Sequence, residues 1–237
     1  MPDDVILRIS NVSKSFGAIR ALRGVDFELR RGEIHALAGE NGAGKSTLIE
    51  ALAGFRPLSQ GMIRWNDDDL TQIEPGKRPI AMLFQDGNLF PHLTVAQNVG
   101  LGIHPNLRLD DAQQAKVQAA LARVGLDGMG DRKPAALSGG QQSRVALARV
   151  LVQGRDLLLL DEPFAALGPA LKAEMLDLVA ELVAESGATL LMVSHAPSDA
   201  RRIAGQVVLV ADGQAHPPME TSALLDNPPP ALKAYLG

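Results

Sequence analysis

The chain has 237 residues, 46% hydrophobic and 21% charged, enough for one substantial α/β domain or one domain with an inserted subdomain. A net charge of −4 excludes a general nucleic-acid binder, and the lack of cysteine excludes a disulfide scaffold and fits a reducing cytosol. Apolar runs such as Leu157-Leu158-Leu159-Leu160 fall far short of the ~20 residues that span a bilayer, and the acidic start Met1-Pro2-Asp3-Asp4 lacks a signal peptide's apolar core.

In chain order, Val5 to Ile9 and the alternating Val25-Asp26-Phe27-Glu28-Leu29 predict paired strands. Arg31-Gly32 turns the chain into a short buried strand, Ile34 to Ala38, and a helix is predicted from Lys45 to Ala53, ending near Gly54. Pro79 to Phe84 reads as another buried strand. From about Asp86 to Leu151 the pattern becomes helical: Asp110 caps a helix running through Ala112, Ala115, Ala119 and Val124, stopped by Gly125. A second helix starts around Gly139-Gly140 and runs to Val152. Strands and helices then alternate. Leu157 to Leu160 is a buried strand. Pro169 opens a helix with the apolar stripe Leu171, Met175, Leu178 and Leu182, stopped by Gly187. Leu190 to Val193 and Gln206 to Ala211 are strands, the latter turning at Asp212-Gly213. Pro228-Pro229-Pro230 reads as a surface extension.

Three segments carry chemistry. Gly39-Glu40-Asn41-Gly42-Ala43-Gly44-Lys45-Ser46 fits G-x-x-x-x-G-K-[ST] between a strand and a helix. Its glycines let backbone N–H groups curl around phosphates, Lys45 reaches the β/γ-phosphates, and the Ser46 hydroxyl ligates Mg²⁺. Leu157 to Glu162 is an apolar strand ending in two carboxylates. Asp161 is the expected Mg²⁺ ligand, and Glu162 the base that polarises the attacking water. Leu137-Ser138-Gly139-Gly140-Gln141-Gln142 opens a helix with a hydroxyl and bare amides, a second anion site. A plain helix cap would satisfy Ser138 equally. Two phosphate-binding helix starts suggest two chains sandwiching one nucleotide.

With these segments in order, the chain resembles the ATP-binding-cassette (ABC) ATPases over nearly its full length. On that resemblance, Gly39 to Ser46 with Thr47 is Walker A, Leu137 to Gln141 the signature, and Leu157 to Glu162 Walker B with its catalytic glutamate. Gln85 matches the Q-loop glutamine, which contacts nucleotide and metal. His195 matches the switch histidine that contacts the γ-phosphate, and Phe16 the aromatic that stacks on adenine. Implied ATP contacts are therefore Phe16, Gly39, Asn41, Gly42, Ala43, Gly44, Lys45, Ser46, Thr47 and Gln85. A partner copy would contribute Ser138, Gly139, Gly140 and Gln141. Implied metal ligands are Ser46, Gln85 and Asp161, and implied catalytic groups Glu162 and His195. The resemblance implies an α/β P-loop core with a mixed sheet, an N-terminal antiparallel β subdomain and an inserted α-helical subdomain. Residues 1–86 and 153–237 would form the core, 87–152 the insertion, of one domain spanning 1–237. It further implies ATP and Mg²⁺ as cofactors, a head-to-tail dimer and docking on membrane permease subunits. A periplasmic solute-binding protein would be an indirect partner, and the location the cytoplasmic face of the inner membrane.

One position departs from the pattern. The family has a loop ending in Leu-Asp after Walker B; here it is Ala165-Ala166-Leu167-Gly168, which implies weaker coupling between the two sites. Within the family, Pro79 to Gln85 and Asn88 to Gly102 are similar to the thiamine-importer group. So are Thr189 to His195 and Val208 to Gly213. Val12 to Gly17 with Gly39 to Thr47 is similar instead to ribose- and galactose-type sugar importers. The transported solute is thus expected to be thiamine, with a ribose-type sugar as the alternative. A soluble, non-transport cassette is a third reading, against which stands the lack of a second cassette, a coiled-coil insertion or a basic arm.

Overall fold

The computed structural model describes residues 4–85 and 87–228, so Pro229 and Pro230 of the expected extension lie outside the described residues. The first part of the chain forms β1 (Val5–Phe16), β2 (Ile19–Arg30), β3 (Ile34–Ala38), α1 (Lys45–Ala53), β4 (Gln60–Trp65), β5 (Asp68–Asp69) and β6 (Ile80–Leu83). Helices follow: α2 (Val95–Gly100), α3 (Asp111–Arg123) and α4 (Gly139–Leu151). Then come β7 (Leu157–Asp161), α5 (Pro169–Ser186), β8 (Thr189–Val193), α6 (Pro197–Ile203) and β9 (Gln206–Ala211). β10 (Gln214–Ala215), β11 (Met219–Glu220) and α7 (Thr221–Asp226) complete the chain.

The strands form two sheets. One is antiparallel, in the order β2-β1-β4-β5. The other is mixed, in the order β10-β9-β3-β8-β7-β6, with β11 also pairing β9. Strands β9, β3, β8, β7 and β6 run parallel; β10 and β11 are antiparallel to β9.

Because successive strand residues point to opposite faces, the apolar run 157–160 is divided between two cores. Leu157 and Leu159 join Leu37, Leu191, Val193, Val208 and Val210 on one face, packed with α1 and the antiparallel sheet. Leu158 and Leu160 join Ala36, Ala38, Leu190, Met192, Val207 and Leu209 on the other, packed with α2 to α7. The sheet is covered on both sides, and its parallel strands end on one edge, where the loops after β3, β7 and β8 gather.

The far end of α1 is fastened by a buried arginine. Arg78 donates to the carbonyls of Ala51 (3.0 Å), Leu52 (2.6 Å) and Ile73 (2.8 Å). A cation against the last carbonyls of a helix satisfies orphan acceptors and favours the dipole. Gly54 caps the same end at φ +87°, where an added Cβ would lie 2.7 Å from Arg78 Nε.

Three expectations change in detail. Strands β1 and β2 run for 12 residues each, far beyond Val5 to Ile9 and Val25 to Leu29. Register shifts around Val12 and Lys14 break the two-residue alternation and hide the continuation. In α3, capped by Asp110 as expected, Ala112, Ala115 and Ala119 are exposed, and the buried face is Val117 and Leu121 with Val124 beyond. In α5 the buried stripe is Met175, Leu176, Val179, Leu182 and Val183, with Leu171 and Leu178 only half-buried. This helix fills a groove between sheet and neighbouring helices, so its covered face is wider than one stripe.

Candidate active site

The loop between β3 and α1 requires glycine at two points. Gly39 has φ +147°, and a Cβ there would lie 2.0 Å from the Val210 carbonyl oxygen. Gly44 has φ +107°, and a Cβ there would lie 2.6 Å from the Ala21 oxygen. No side chain caps the N-terminus of α1, so its first-turn amides remain donors at the loop. Lys45, 5% exposed, folds back to donate to the carbonyls of Gly39 (2.7 Å) and Glu40 (2.8 Å). Burial lowers its pKa, while the nearby charges of Glu162 and Asp161 oppose that shift.

Strand β7 delivers two carboxylates to the same place. Asp161 Oδ1 accepts from Ser46 Oγ at 3.1 Å. Burial raises the Asp161 pKa, the Ser46 hydrogen bond opposes this, and the charges of Glu162 and Glu50 add to it. Glu162 sits just past the strand at φ +47°, a left-handed conformation uncommon outside glycine, and its amide donates to Val193 O at 3.1 Å. Its carboxylate pairs with His195 Nε2 from the loop after β8.

A single cleft of about 410 Å³ is lined by Asn41, Gly42, Gly44, Lys45, Ser46 and Thr47 together with Gln85, Glu162 and His195. Phe16, at the end of β1, is 42% exposed, with Lys14 Nζ 5.1 Å and the Arg56 guanidinium 5.7 Å from its ring centre. The segment Ser138 to Gln141 lies outside this cleft. Gly139 lines a separate depression of about 630 Å³, which Gln85 also borders. Ser138 Oγ accepts from the Gln141 amide (3.3 Å) and Gln141 Oε1 from the Ser138 amide (2.9 Å), a reciprocal cap on α4. Gly140 is buried, and a Cβ there would meet Leu171 Cδ2 at 2.4 Å.

From the sequence, Asp212-Gly213 is a turn and nothing more. The structure makes it a brace behind the phosphate loop: the Gly213 amide donates to Ala43 O (3.1 Å) and its carbonyl accepts from the Arg23 amide (2.7 Å). Gly213 has φ +76°, and a Cβ there would lie 2.7 Å from Ala21 O. Gly213→Ala is therefore expected to raise the KM for ATP about three- to tenfold and to lower the melting temperature. Steady-state kinetics and thermal unfolding check this.

An uncapped helix start with a glycine loop, a hydroxyl–carboxylate pair and a Glu–His pair define a phosphate-loop nucleotide hydrolase. The sequence profile of the ABC transporter family matches residues 22–165. Curated relatives include a thiamine import ATP-binding protein of Ruegeria sp., 69% identical over 85% of this chain and 87% of the relative. A thiamine import ATP-binding protein of Brucella suis is 47% identical over 98% of this chain and 95% of its own. Among solved structures, an ATP-binding cassette of an ABC transporter in its ADP conformation aligns with a TM-score of 0.89 at 28% identity, covering 98% of this chain and 99% of that one. A dimeric cassette bound to ADP and Pi aligns with a TM-score of 0.80 at 27% identity, over 91% and 99% of the two chains. The chain belongs to the ABC transporter family, as a nucleotide-binding, ATP-hydrolysing cassette. Among the described residues, no helix is long and apolar enough to cross a membrane.

Gly168, where the resemblance implies an aspartate, stands at the N-cap of α5 with φ −64°, ψ 156° and no side-chain cap. An added Cβ there meets nothing within 4 Å, so Gly168→Asp introduces no strain and supplies a capping oxygen. That variant is expected to hydrolyse ATP faster, or with a steeper dependence on ATP, than the natural chain. Equal rates and equal Hill slopes would refute this.

Proposed function

We propose that this chain is the ATP-hydrolysing subunit of a bacterial importer for thiamine or its phosphates, acting at the cytoplasmic face of the membrane. The observation that carries the solute is the likeness, up to 69% identity, to relatives named thiamine import ATP-binding proteins. The likeness to one of them extends over 98% of the chain, and so through the N-terminal third that also resembles sugar importers. Two copies would meet head to tail, a reading supported by the dimeric neighbour and by the separation of Ser138 to Gln141 from the cleft. Each copy would then complete its partner's nucleotide site through Ser138, Gly139, Gly140 and Gln141. Permease subunits would dock on the helical segment 87–152, inserted into the core formed by 1–86 and 153–237. A periplasmic solute-binding protein would deliver solute from the other side.

The chemistry follows from the cleft. Lys45 exchanges the carbonyls of Gly39 and Glu40 for phosphate oxygens, and the loop amides with the α1 dipole neutralise developing charge. Phe16 offers its face to adenine, and Asn41, Gly42, Ala43, Gly44 and Thr47 line the phosphates. Ser46, Asp161 and Gln85 are hard oxygen donors suited to Mg²⁺, which keeps several waters and needs few protein ligands; bound there, it would screen phosphate charge. Glu162 orients and deprotonates the attacking water, and His195, paired with it, contacts the γ-phosphate.

The test is uptake of labelled thiamine by cells whose own copy is replaced by wild type or Glu162→Gln. Restoration by wild type alone supports both solute and mechanism. Uptake indifferent to either chain removes thiamine as the solute, and labelled ribose is then the next substrate to assay.

A further inference from the structure

The loop that carries His195 is tethered by a buried carboxylate in addition to its contact with Glu162. Asp199, in the first turn of α6, is 5% exposed. Its Oδ2 accepts from the Ser194 hydroxyl and from Lys172 Nζ, the latter at 2.5 Å. Ser194 Oγ in turn accepts from the Ala196 amide at 3.1 Å, and the Asp199 amide donates to Ala196 O at 3.0 Å. Ser194, before His195, is thereby fastened to the Asp199 carboxylate, and Ala196, after it, to the Ser194 hydroxyl and the Asp199 amide.

Lys172 lies in the first turn of α5, its amide donating to Gly168 O at 2.9 Å. That turn ends the loop that begins at Glu162. The two loops supplying Glu162 and His195 are thus joined twice, directly by their side chains and again through Lys172 and Asp199. Between the two links lies a cavity of about 260 Å³ bordered by Glu162, Phe164, Lys172, His195 and Asp199. Side-chain packing does not fill this space, so the polar links set the position of the His195 loop. Helix stability does not explain the lysine, because a cation in the first turn of α5 opposes the helix dipole.

We propose that Lys172 and Asp199 are positioning residues for ATP hydrolysis, holding the His195 loop in register with Glu162. This rests on the reading of Glu162 and His195 as the hydrolytic pair. Lys172 and Asp199 bond to each other, Gly168, Ser194 and Ala196 and do not line the cleft of the phosphate loop, so they act on turnover rather than on nucleotide capture.

The experiment is steady-state ATP hydrolysis by the 237-residue chain and its variants, with thermal unfolding of each. Lys172→Met is expected to lower kcat about 10- to 100-fold while KM for ATP stays within about threefold, and Lys172→Arg to restore kcat to within about threefold. The double variant Lys172→Met with Asp199→Asn leaves no unpaired buried charge and guards against a misfolded single variant. It is expected to be slow in the same way. If the folded single or double variant turns over within about threefold of wild type and only its melting temperature moves, the pair is merely structural and the proposal falls. Glu162→Gln and His195→Ala in the same assay report separately on the hydrolytic pair. If those two are slow and the Lys172 variants are not, only the positioning role fails. If those two turn over normally, the hydrolytic reading fails, and this inference with it.

Discussion

Glu162→Gln is expected to bind ATP as wild type does and to hydrolyse it at least ~10²-fold more slowly. Binding is expected to survive because the groups proposed to grip phosphate, the Gly39–Gly44 loop between β3 and α1 and Lys45 at the start of α1, are held by hydrogen bonds that do not involve the Glu162 carboxylate. Turnover fails because the amide cannot accept the proton of an attacking water. The change preserves shape, keeps an oxygen for His195 and leaves the backbone bond from residue 162 to Val193 O in place. A loss of rate in this variant is therefore a loss of proton acceptance rather than of geometry. Single-turnover hydrolysis with radiolabelled ATP, alongside an equilibrium binding titration, measures both quantities. Near wild-type turnover would remove Glu162 as the base.

Asp161→Asn is expected to separate stability from activity. Asp161 is held in a site where burial disfavours its charge, so its folded pKa is raised. A carboxyl with a raised folded pKa takes up its proton in the folded state first. Acidification through that raised pKa, down to the unfolded value of about 3.9, therefore adds stability, and at neutral pH that stability is absent. Asparagine carries no charge to bury and still accepts from Ser46. The variant should melt above wild type at pH 7, with the gap closing toward pH 4. The wild type, with Mg²⁺ present, should gain further thermal stability from ATP, and the variant should gain no more with Mg²⁺ than without it. Its hydrolysis should fall by at least ~10²-fold, because a negative oxygen has left the proposed Mg²⁺ site. A wild-type response to Mg²⁺ in the variant would refute Asp161 as a ligand.

Elements built on local pattern were legible in the sequence. The helix Lys45–Ala53 has the predicted bounds, because a glycine in a left-handed conformation ends it at each side, Gly44 before and Gly54 after. Strand β3 coincides with Ile34 to Ala38, and the Asp212-Gly213 hairpin turns as expected with φ +50° and +76°. Less legible were elements whose identity depends on what covers them. Strand β4, Gln60 to Trp65, pairs β1 and is exposed at alternate residues; its one local mark is the Asn66-Asp67 turn that follows, with Asn66 at φ +50°. Helix α6 spans only Pro197–Ile203, too short for a periodic pattern.

The sequence by itself determined which segments are proposed to carry the chemistry: the phosphate loop, the two strand-end carboxylates and the serine-glycine helix start stand out because their residue types recur at fixed local spacing, whereas His195 stands out only through the family resemblance. Tertiary structure decided how those segments meet. Parallel pairing of β3, β7 and β8 brings Lys45, Glu162 and His195 to one cleft, and sets Asp161 against Ser46 from 115 residues away. It also recruited residues with no motif of their own. Gly213 serves because its hairpin touches both Ala43 and Arg23, and Lys172 and Asp199 because two helix starts converge beside His195. Contacts between distant segments leave no periodic mark in the chain, since each partner obeys only the local rules of its own element.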